Sequence, residues 1–256
     1  MRNVLIMCRK ELRSYFVSPV AYILLLMFAL IFGYMFWNAV GSFVAEGMAM
    51  QMQGQNYPMD LNEWVIRQLL HNVSVILGLF VIPLITMRLF AEEKRTGTIE
   101  LLATSPIRDI EIILGKWLAS LILYGCLLLI TAVDFLFLFK YGKPDLKPLL
   151  VAYLGLLLLG GALLAIGTFI STLTKNQIVA GAVTFGVCIL LYVFGWTGSY
   201  ETATWARVLS YMSIAEHFNS FVRGVVDSKD AIYYVTLIFL GLFFTARSME
   251  SLRWRS

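Results

Sequence analysis

Charged residues are scarce in this sequence. Only 14% of its 256 residues are Asp, Glu, Lys or Arg, whereas 59% are hydrophobic. A typical soluble domain carries about 25% charged residues, so this chain lacks the polar surface that a water-soluble fold requires, and lipid must cover part of it. The formal net charge of +4 is small and dispersed along the chain, which argues against nucleic acid as a partner.

Residues that bind metals or perform catalysis are also few. Cys126 and Cys188 lie inside apolar runs and Cys8 lies in a basic segment, so no disulfide framework is expected. His71 and His217 are isolated and predict no metal site. The sequence contains no G-x-x-x-x-G-K-S/T motif, no H-E-x-x-H motif and no apparent Ser/His/Asp set. We therefore expect no catalytic residue, metal or cofactor on this chain.

Long apolar runs dominate the sequence instead. Their hydrophobicity is continuous, without the period-2 alternation of a β-barrel, and in lipid such runs satisfy their backbone polar groups as helices. The first run is longer than the roughly 7–15 residues of a secretory signal, so we interpret it as a retained span. The sequence predicts an all-α integral membrane protein with one domain over residues 1–256 and six spans, at about residues 20–40, 69–89, 117–139, 149–173, 178–196 and 230–246.

Two local patterns predict how neighbouring spans meet. Only residues 174–177 separate the fourth span from the fifth, which predicts a tight helical hairpin. The pairs Gly161/Ala165 and Ala182/Gly186 place small residues four positions apart, a spacing that favours close contact between helices.

The distribution of lysine and arginine predicts the orientation, because cytoplasmic loops of membrane proteins carry the excess of these residues. With both termini cytoplasmic, 13 of the 20 basic residues lie inside. Lys140, Lys143 and Lys147 oppose the rule, since they fall in an outer loop. The sequence therefore predicts both termini on the cytoplasmic side.

The first 18 residues predict an amphipathic helix that lies on the membrane surface before the first span. Three basic residues, Arg9, Lys10 and Arg13, alternate with an apolar stripe. A segment that only sets the topology is the alternative. The stripe consists of Leu5, Cys8, Leu12, Tyr15 and Phe16.

The segment between the second and third spans is dense in charge and in helix signals. Gly97 is expected to break the helix that leaves the membrane, and Thr98 to cap a short helix over residues 99–103. Ser105 and Pro106 are expected to begin the next helix. The result is a short, rigidly held helix that suits docking into a cleft of a soluble partner. A solvated connecting loop is the alternative.

Residues 205–225 predict two short amphipathic helices on the outer side, of a re-entrant type. Ser213 and Glu216 fit a capping box that starts the second helix. Phe218 and Phe221 lie on its apolar stripe. We interpret Glu216, Phe218 and Phe221 as candidates for an outer gate, and a lid of interfacial helices without gating as the alternative.

Asp134 is the only acidic residue within a predicted span. An intramembrane carboxylate is a candidate for lining a transport path or for pairing between helices. Its position towards the outer end of the third span leaves a satisfied carboxylate near the interface as the alternative.

The most specific motif lies at residues 90–106, which read Phe-Ala-Glu-Glu-Lys-Arg-Thr-Gly-Thr-Ile-Glu-Leu-Leu-Ala-Thr-Ser-Pro. It resembles the coupling-helix signature of ABC-2 type ABC transporter permeases, an acidic residue followed by G-T-x-E-x-L and a proline. The Ser-Pro-Val-Ala-Tyr run at residues 18–22, the six spans and the outer segment 216–227 agree. Within that family the chain is most similar to the gliding-motility-associated permease subunit and its relatives, including the permease of the nitrous-oxide reductase maturation system.

The resemblance implies a type V ABC exporter-like fold and the role of a permease subunit in a bacterial inner membrane. Two permease subunits, identical or distinct, would pair around a path, and two separate ATPase subunits would carry ATP and Mg²⁺. The coupling helix would transmit nucleotide-driven closure to the spans. The residues expected to make that contact are Glu92, Glu93, Gly97, Thr98, Glu100 and Leu101.

Two further functions stay open on the sequence alone. A stand-alone channel or secondary transporter would work without an ATPase. Secondary transporters usually show inverted repeats and several intramembrane polar residues, whereas this sequence shows one intramembrane acid and no convincing repeat. A structural scaffold without transport comes third. No residue of the spans predicts the substrate.

Overall fold

The computed structural model describes residues 2–54, 60–98, 107–142, 144–197 and 204–253. Within these ranges every regular element is a helix. Six helical stretches of the described residues are long and apolar enough to cross a membrane, which confirms the predicted all-α fold with six spans.

Most helices are regular, and one stretch is interrupted by π-helical turns. Residues Asn62–Thr86 run without a break, but they alternate between π-helix at Asn62–Arg67 and Leu77–Val81 and α-helix between and after these turns. The α-helices are α1 (Arg2–Val17), α2 (Pro19–Met52), α3 (Gln68–Ile76), α4 (Ile82–Thr86), α5 (Ala91–Thr96), α6 (Asp109–Tyr141), α7 (Leu146–Leu173), α8 (Gln177–Thr197), α9 (Thr204–Tyr211), α10 (Ile214–Val222) and α11 (Ser228–Arg253).

Helix α7 forms the centre of the bundle and packs against α4, α6, α8, α10 and α11. Its glycines permit this, because each lies against a side chain of a neighbouring helix. A Cβ built on Gly155 would lie 2.5 Å from Phe221 of α10, and one on Gly160 would lie 2.4 Å from the ring of Tyr124 of α6. The Tyr124 hydroxyl also donates to the Leu156 carbonyl over 3.0 Å.

One of the two predicted small-residue pairs makes the expected contact. Gly161 accepts a hydrogen bond at its carbonyl from Trp117 Nε1 (3.0 Å), and Ala165 lies against Gly241 of α11. The pair on α8 does not: a Cβ at Gly186 would meet no atom within 4 Å among the described residues. The prediction was wrong there, because among the described residues no helix lies close to α8 at Gly186.

The predicted hairpin between the fourth and fifth spans is confirmed. Helix α7 ends at Leu173 and α8 begins at Gln177. The Thr174 hydroxyl accepts from the Asn176 amide (3.1 Å), and the Asn176 side chain accepts from the Ile178 amide (2.9 Å). These bonds occupy backbone donors that a tight turn would otherwise leave without partners.

Helix α2 is longer than its apolar run. It has 34 residues and is therefore roughly 50 Å long, compared with about 30 Å for the hydrocarbon core of a bilayer. Phe28 and Phe32 fix it to the bundle, and the Phe32 ring meets Phe135 of α6 edge-on at 6.0 Å. Its opposite face, with Leu26, Leu30 and Trp37, is exposed.

Helix α6 begins at Asp109 and residues 107–108 before it are not helical, so the predicted helix start at Pro106 was wrong. Ser105 and Pro106 themselves lie outside the described residues. The backbone amide of Arg108 donates to the Glu111 carboxylate (3.3 Å), and Asn3 of α1 donates to the same carboxylate (3.0 Å). An acidic side chain in the first turn supplies the acceptor that the expected serine would have provided.

Candidate functional site

Helix α5 lies in the charged segment between the second and third spans, and it is the last helix described before residue 99. Its first turn is bonded to α7. The backbone amides of Phe90 and Ala91 both donate to the Ser171 hydroxyl, at 3.0 and 3.1 Å. Lys94 Nζ donates to the Thr172 carbonyl. Because a helix N-terminus otherwise leaves its first amides without partners, these bonds fix α5 to the end of α7. We call this end of the bundle, formed by α1, α5 and the start of α6, the α1 end.

A buried lysine joins α5 to two further helices at the α1 end. The side chain of Lys116 on α6 is only 2% exposed. Its Nζ lies 2.9 Å from Glu11 of α1 and 2.8 Å from Glu93 of α5. The same Nζ lies 5.2 Å from the centre of the Phe90 ring, within the range of a cation–π contact. We refer to Lys116, Glu11 and Glu93 as the ion cluster.

The ion cluster changes the interpretation of the two predicted contact glutamates. Glu93 faces the interior with a side chain that is 15% exposed, so it is not presented to a docking partner. Glu92 pairs with Arg88 over 3.1 Å and is more exposed. Successive residues of an α-helix point about 100° apart, so both glutamates cannot share the outward face of α5.

The helix break predicted at Gly97 is confirmed. Helix α5 ends at Thr96, and Gly97 adopts φ 74° and ψ 2°, a left-handed conformation that favours glycine. The hydroxyls of Thr96 and Thr98 lie 3.0 Å apart beside this turn. Gly97 and Thr98 are both exposed. Glu100, Leu101 and the short helix predicted over 99–103 lie outside the described residues.

Helix α1 forms as predicted, and Tyr15 and Phe16 of its predicted apolar stripe pack against the core. Met7 and Cys8 are buried, and a Cβ on Gly115 of α6 would lie 2.6 Å from Met7, so the two backbones approach closely there. Leu5 of the predicted apolar stripe is 67% exposed and points away from the bundle. The sequence shows which residues are apolar, but the contact with α6 selects the face that packs.

Asp134 lies on α6 with a partly exposed side chain. It makes no hydrogen bond or ion pair with the residues that the structure describes. The nearby hydroxyls of Thr131 and Tyr153 bond to each other at 2.7 Å. Neither the path-lining interpretation nor the interfacial one is tested by this arrangement.

The candidate outer-gate residues divide into one exposed and two buried side chains. Phe218 and Phe221 are fully buried, and Phe221 fills the space beside Gly155 of α7. Glu216 is exposed. In this conformation the two phenylalanines form part of the core, so an opening at this position would require α10 to separate from α7.

The predicted capping box at the start of α10 does not form among the described residues. Ser213 occupies the N-cap position but makes no capping hydrogen bond. Its hydroxyl points towards α8, where a Cβ on Gly195 would lie 2.7 Å from it, and it has no hydrogen-bond partner among the described residues. Packing against α8 therefore overrides the local preference for capping.

With this geometry in place, the family of the chain can be stated. Residues 5–246 match the family model described as ABC-2 family transporter protein. The chain belongs to the ABC-2 family. It is therefore the permease component of an ABC transporter, a multi-pass membrane protein with a transport role. No curated protein matches the chain.

The ABC-2 permease contains a second buried polar cluster that the sequence did not reveal. His217 of α10 places Nδ1 at 2.7 Å from Asp230 of α11 and Nε2 at 2.9 Å from the Tyr211 carbonyl. Its ring stacks on Tyr233 with centroids 3.9 Å apart. Gly224, with φ 78°, turns the chain between the two helices. We call the region around α9 and α10 the α10 end.

One sequence feature could have indicated this cluster: the turn between His217 and Asp230. A glycine that ends α10, followed by α11, brings an earlier histidine beside a later aspartate when the two helices fold back on each other. The spacing of His217 and Asp230 along the sequence does not by itself predict a contact between them. The permease therefore has polar clusters at both ends of the bundle, and sequence motifs indicated the segment that contains α5 but neither cluster.

Proposed function

We propose that this permease is the membrane subunit of an ATP-driven exporter. Two permease subunits, identical or distinct, form the path, and two separate ATPase subunits bind ATP and Mg²⁺. The α1 end of the bundle faces the cytoplasm of a bacterium, with both termini inside, and the protein resides in the inner membrane. The resemblance of the whole chain favours the gliding-motility-associated branch of the family.

The observation that carries the proposal is the attachment of α5. Its first turn is bonded to Ser171 of α7, and Glu93 near its middle is paired with Lys116 of α6. Beyond Gly97 the chain continues into the motif that resembles a coupling helix. A force applied to that segment is transmitted through a short, fixed helix to two spans. A flexible solvated connector would not need these attachments.

The coupling contact then rests mainly on the exposed end of α5 and the residues that follow. Gly97 allows the sharp turn, and Thr98 continues from it. Glu100 and Leu101 supply charge and apolar surface for the cleft of an ATPase, with Glu92 at its edge. Glu93 acts from inside, where it holds α5 in place.

A stand-alone channel or secondary transporter is the second candidate. Such a protein would use polar groups within the spans, and Asp134 is the acidic residue available for that role. Under this alternative the segment after Gly97 is a connecting loop, so changes in it should leave transport intact. A scaffold without transport predicts the same insensitivity.

The test is retrieval of the ATPase by detergent-extracted permease, together with the ATP turnover that the permease stimulates. Gly97→Val forces a β-branched residue into a left-handed conformation, and Glu100→Lys reverses a charge at the proposed contact. We expect both variants to fold and to lose binding and stimulation together, since a like-charge contact costs several kcal/mol.

Two control variants match these changes away from the proposed contact. Gly54 has φ 72°, so Gly54→Val introduces the same backbone strain after α2. Glu46 is exposed on α2, so Glu46→Lys makes the same charge reversal. The controls should retain binding and stimulation. If Gly97→Val and Glu100→Lys retain them as well, the segment is a connector and the coupling proposal is wrong.

A further inference from the structure

Lys116 occupies an environment in which lysine is rare. Charged side chains are almost never fully buried unless they are paired, and Lys116 is 2% exposed between two carboxylates from different helices. The second oxygen of Glu93 is buried without a hydrogen-bond partner in the described part of the chain. The ion cluster is therefore tightly enclosed at the junction of α1, α5 and α6.

We propose that Lys116 is a positioning residue that links the amphipathic helix α1 to α5, so that α1 moves together with the coupling segment during the transport cycle. This inference rests on the proposed function, because it assumes that force enters through the segment after Gly97. Lys116 itself need not touch the ATPase or the substrate. It acts by holding Glu11 and Glu93 on one ammonium group.

The arrangement of contacts explains why an ionic link is suited to this task. Helix α1 already packs on α6, through Met7 at Gly115 and through the bond from Asn3 to Glu111. These contacts connect α1 with α6 but do not involve α5. Glu11 of α1 and Glu93 of α5 both pair with the Nζ of Lys116, so this ammonium group connects α1 with α5. Loss of Glu11 should therefore release α1 from α5 while the pair between Lys116 and Glu93 remains.

Stability and positioning can be separated by neutralising the whole cluster. Removal of one partner from a buried ion pair strongly destabilises a protein because a charge is left without compensation. Replacement of the whole cluster by hydrophobic residues of similar volume is often neutral for stability. Lys116→Met alone should therefore lower the melting temperature. The triple variant Glu11→Leu/Glu93→Leu/Lys116→Met should recover it.

The decisive measurement is the distance between α1 and α5 in the detergent-extracted permease. Spin labels at Ser14 and Arg95, both exposed, report that distance by pulsed electron resonance without any requirement for the ATPase. We expect a narrow distribution in the otherwise unchanged protein and at least a twofold broader one in Glu11→Gln and in the triple variant. Asn3→Ala, which removes a bond from α1 to α6 only, should keep the narrow distribution.

Stimulated ATP turnover is the functional readout. We expect at least a tenfold loss of stimulation in the triple variant despite its recovered melting temperature, and near-normal stimulation in Asn3→Ala. Lys147→Met, at an exposed lysine of α7, controls for loss of one positive charge. If the triple variant stimulates normally or keeps the narrow distance distribution, the cluster only balances charge and the inference is wrong. Absence of stimulation by the unchanged permease would instead contradict the proposed function.

Discussion

His217 and Asp230 form a buried pair that closes the turn between α10 and α11. His217 Nδ1 lies 2.7 Å from an Asp230 carboxylate oxygen. Both imidazole nitrogens face oxygen acceptors, since Nε2 lies 2.9 Å from the Tyr211 carbonyl. A neutral imidazole has one N–H and can donate to only one of them. Hydroxyl bonds from Tyr233 to Met212 and from Tyr234 to Ile214 reinforce the same junction.

We expect Asp230→Asn to destabilise the permease by about 1–3 kcal/mol, because a buried hydrogen bond to a charged group is replaced by a weaker one. The unfolding of detergent-extracted protein, followed by intrinsic fluorescence, measures this change. His71→Gln is the matched control, since its ring makes no hydrogen bond with the described residues, and it should change stability much less. Equal effects of the two variants would mean that the His217–Asp230 pair contributes little.

A second prediction concerns the contact between Gly160 of α7 and Tyr124 of α6. Gly160→Ala places a methyl group where the ring of Tyr124 lies 2.4 Å away, so we expect a loss of about 1–3 kcal/mol from overpacking. Gly33→Ala is the control, because a Cβ there meets nothing within 4 Å and alanine is the better helix former. The yield of monodisperse protein and its melting temperature should fall only for Gly160→Ala. A normal Gly160→Ala variant would show that the bundle expands to admit the methyl group.

The predicted orientation is tested with reporters at two positions. A reporter fused after Ser256 should behave as cytoplasmic, and one inserted at Gln53, which directly follows α2, should behave as external. The physical reason is the excess of lysine and arginine in the segments assigned to the inside. The reverse pair of results would overturn the orientation. A change in the C-terminal result alone would question only the last span.

The basic face of α1 should be needed for assembly in the membrane. Arg9, Lys10 and Arg13 are exposed, and attraction to anionic headgroups contributes about 1 kcal/mol for each. Replacement of all three by Glu should lower the amount of permease in membrane fractions and its stimulation of ATP turnover. Normal membrane levels and activity would show that these charges are dispensable.

A matched triple variant at the α10 end controls for charge reversal as such. Lys147, Arg207 and Lys229 are exposed there, and they lie on the side that the orientation assigns to the exterior. Their replacement by Glu should leave membrane levels nearly unchanged. Equal losses in both triple variants would indicate a general effect of net charge rather than a contact of α1 with the inner leaflet.

Asp134→Asn should leave stability within about 0.5 kcal/mol, as expected for a residue without a specific partner, and should leave stimulated ATP turnover unchanged. The absence of an ion pair with the described residues supports this outcome. Thermal unfolding and turnover are measured on the same preparation. An Asn variant that folds but no longer stimulates turnover would assign Asp134 to the path or to contact with a second permease subunit.

The elements of the fold were predictable from the sequence because their causes are local. Continuous apolar runs specify helices in lipid, since each backbone group must find its partner within the segment. The turn after Leu173 and the break at Gly97 were also predictable, because side-chain acceptors in the first case and a left-handed glycine in the second act over a few residues. The start of α6 was misplaced, because Glu111 replaced the expected serine as the cap acceptor.

The sequence by itself determined the six spans, the family motif and the residues available for contact, but only the tertiary structure decided which side chains meet. Glu93 carries the same charge as Glu92, yet it lies buried on Lys116 while Glu92 pairs with Arg88. Lys116 and Glu11 are 105 positions apart, and no spacing in the chain encodes their contact. The rotation of each helix about its axis is set by packing against its neighbours, as Met7 against Gly115 sets that of α1. Because one residue step turns an α-helix by about 100°, that rotation decides whether a charged residue is exposed or becomes part of a buried ion cluster.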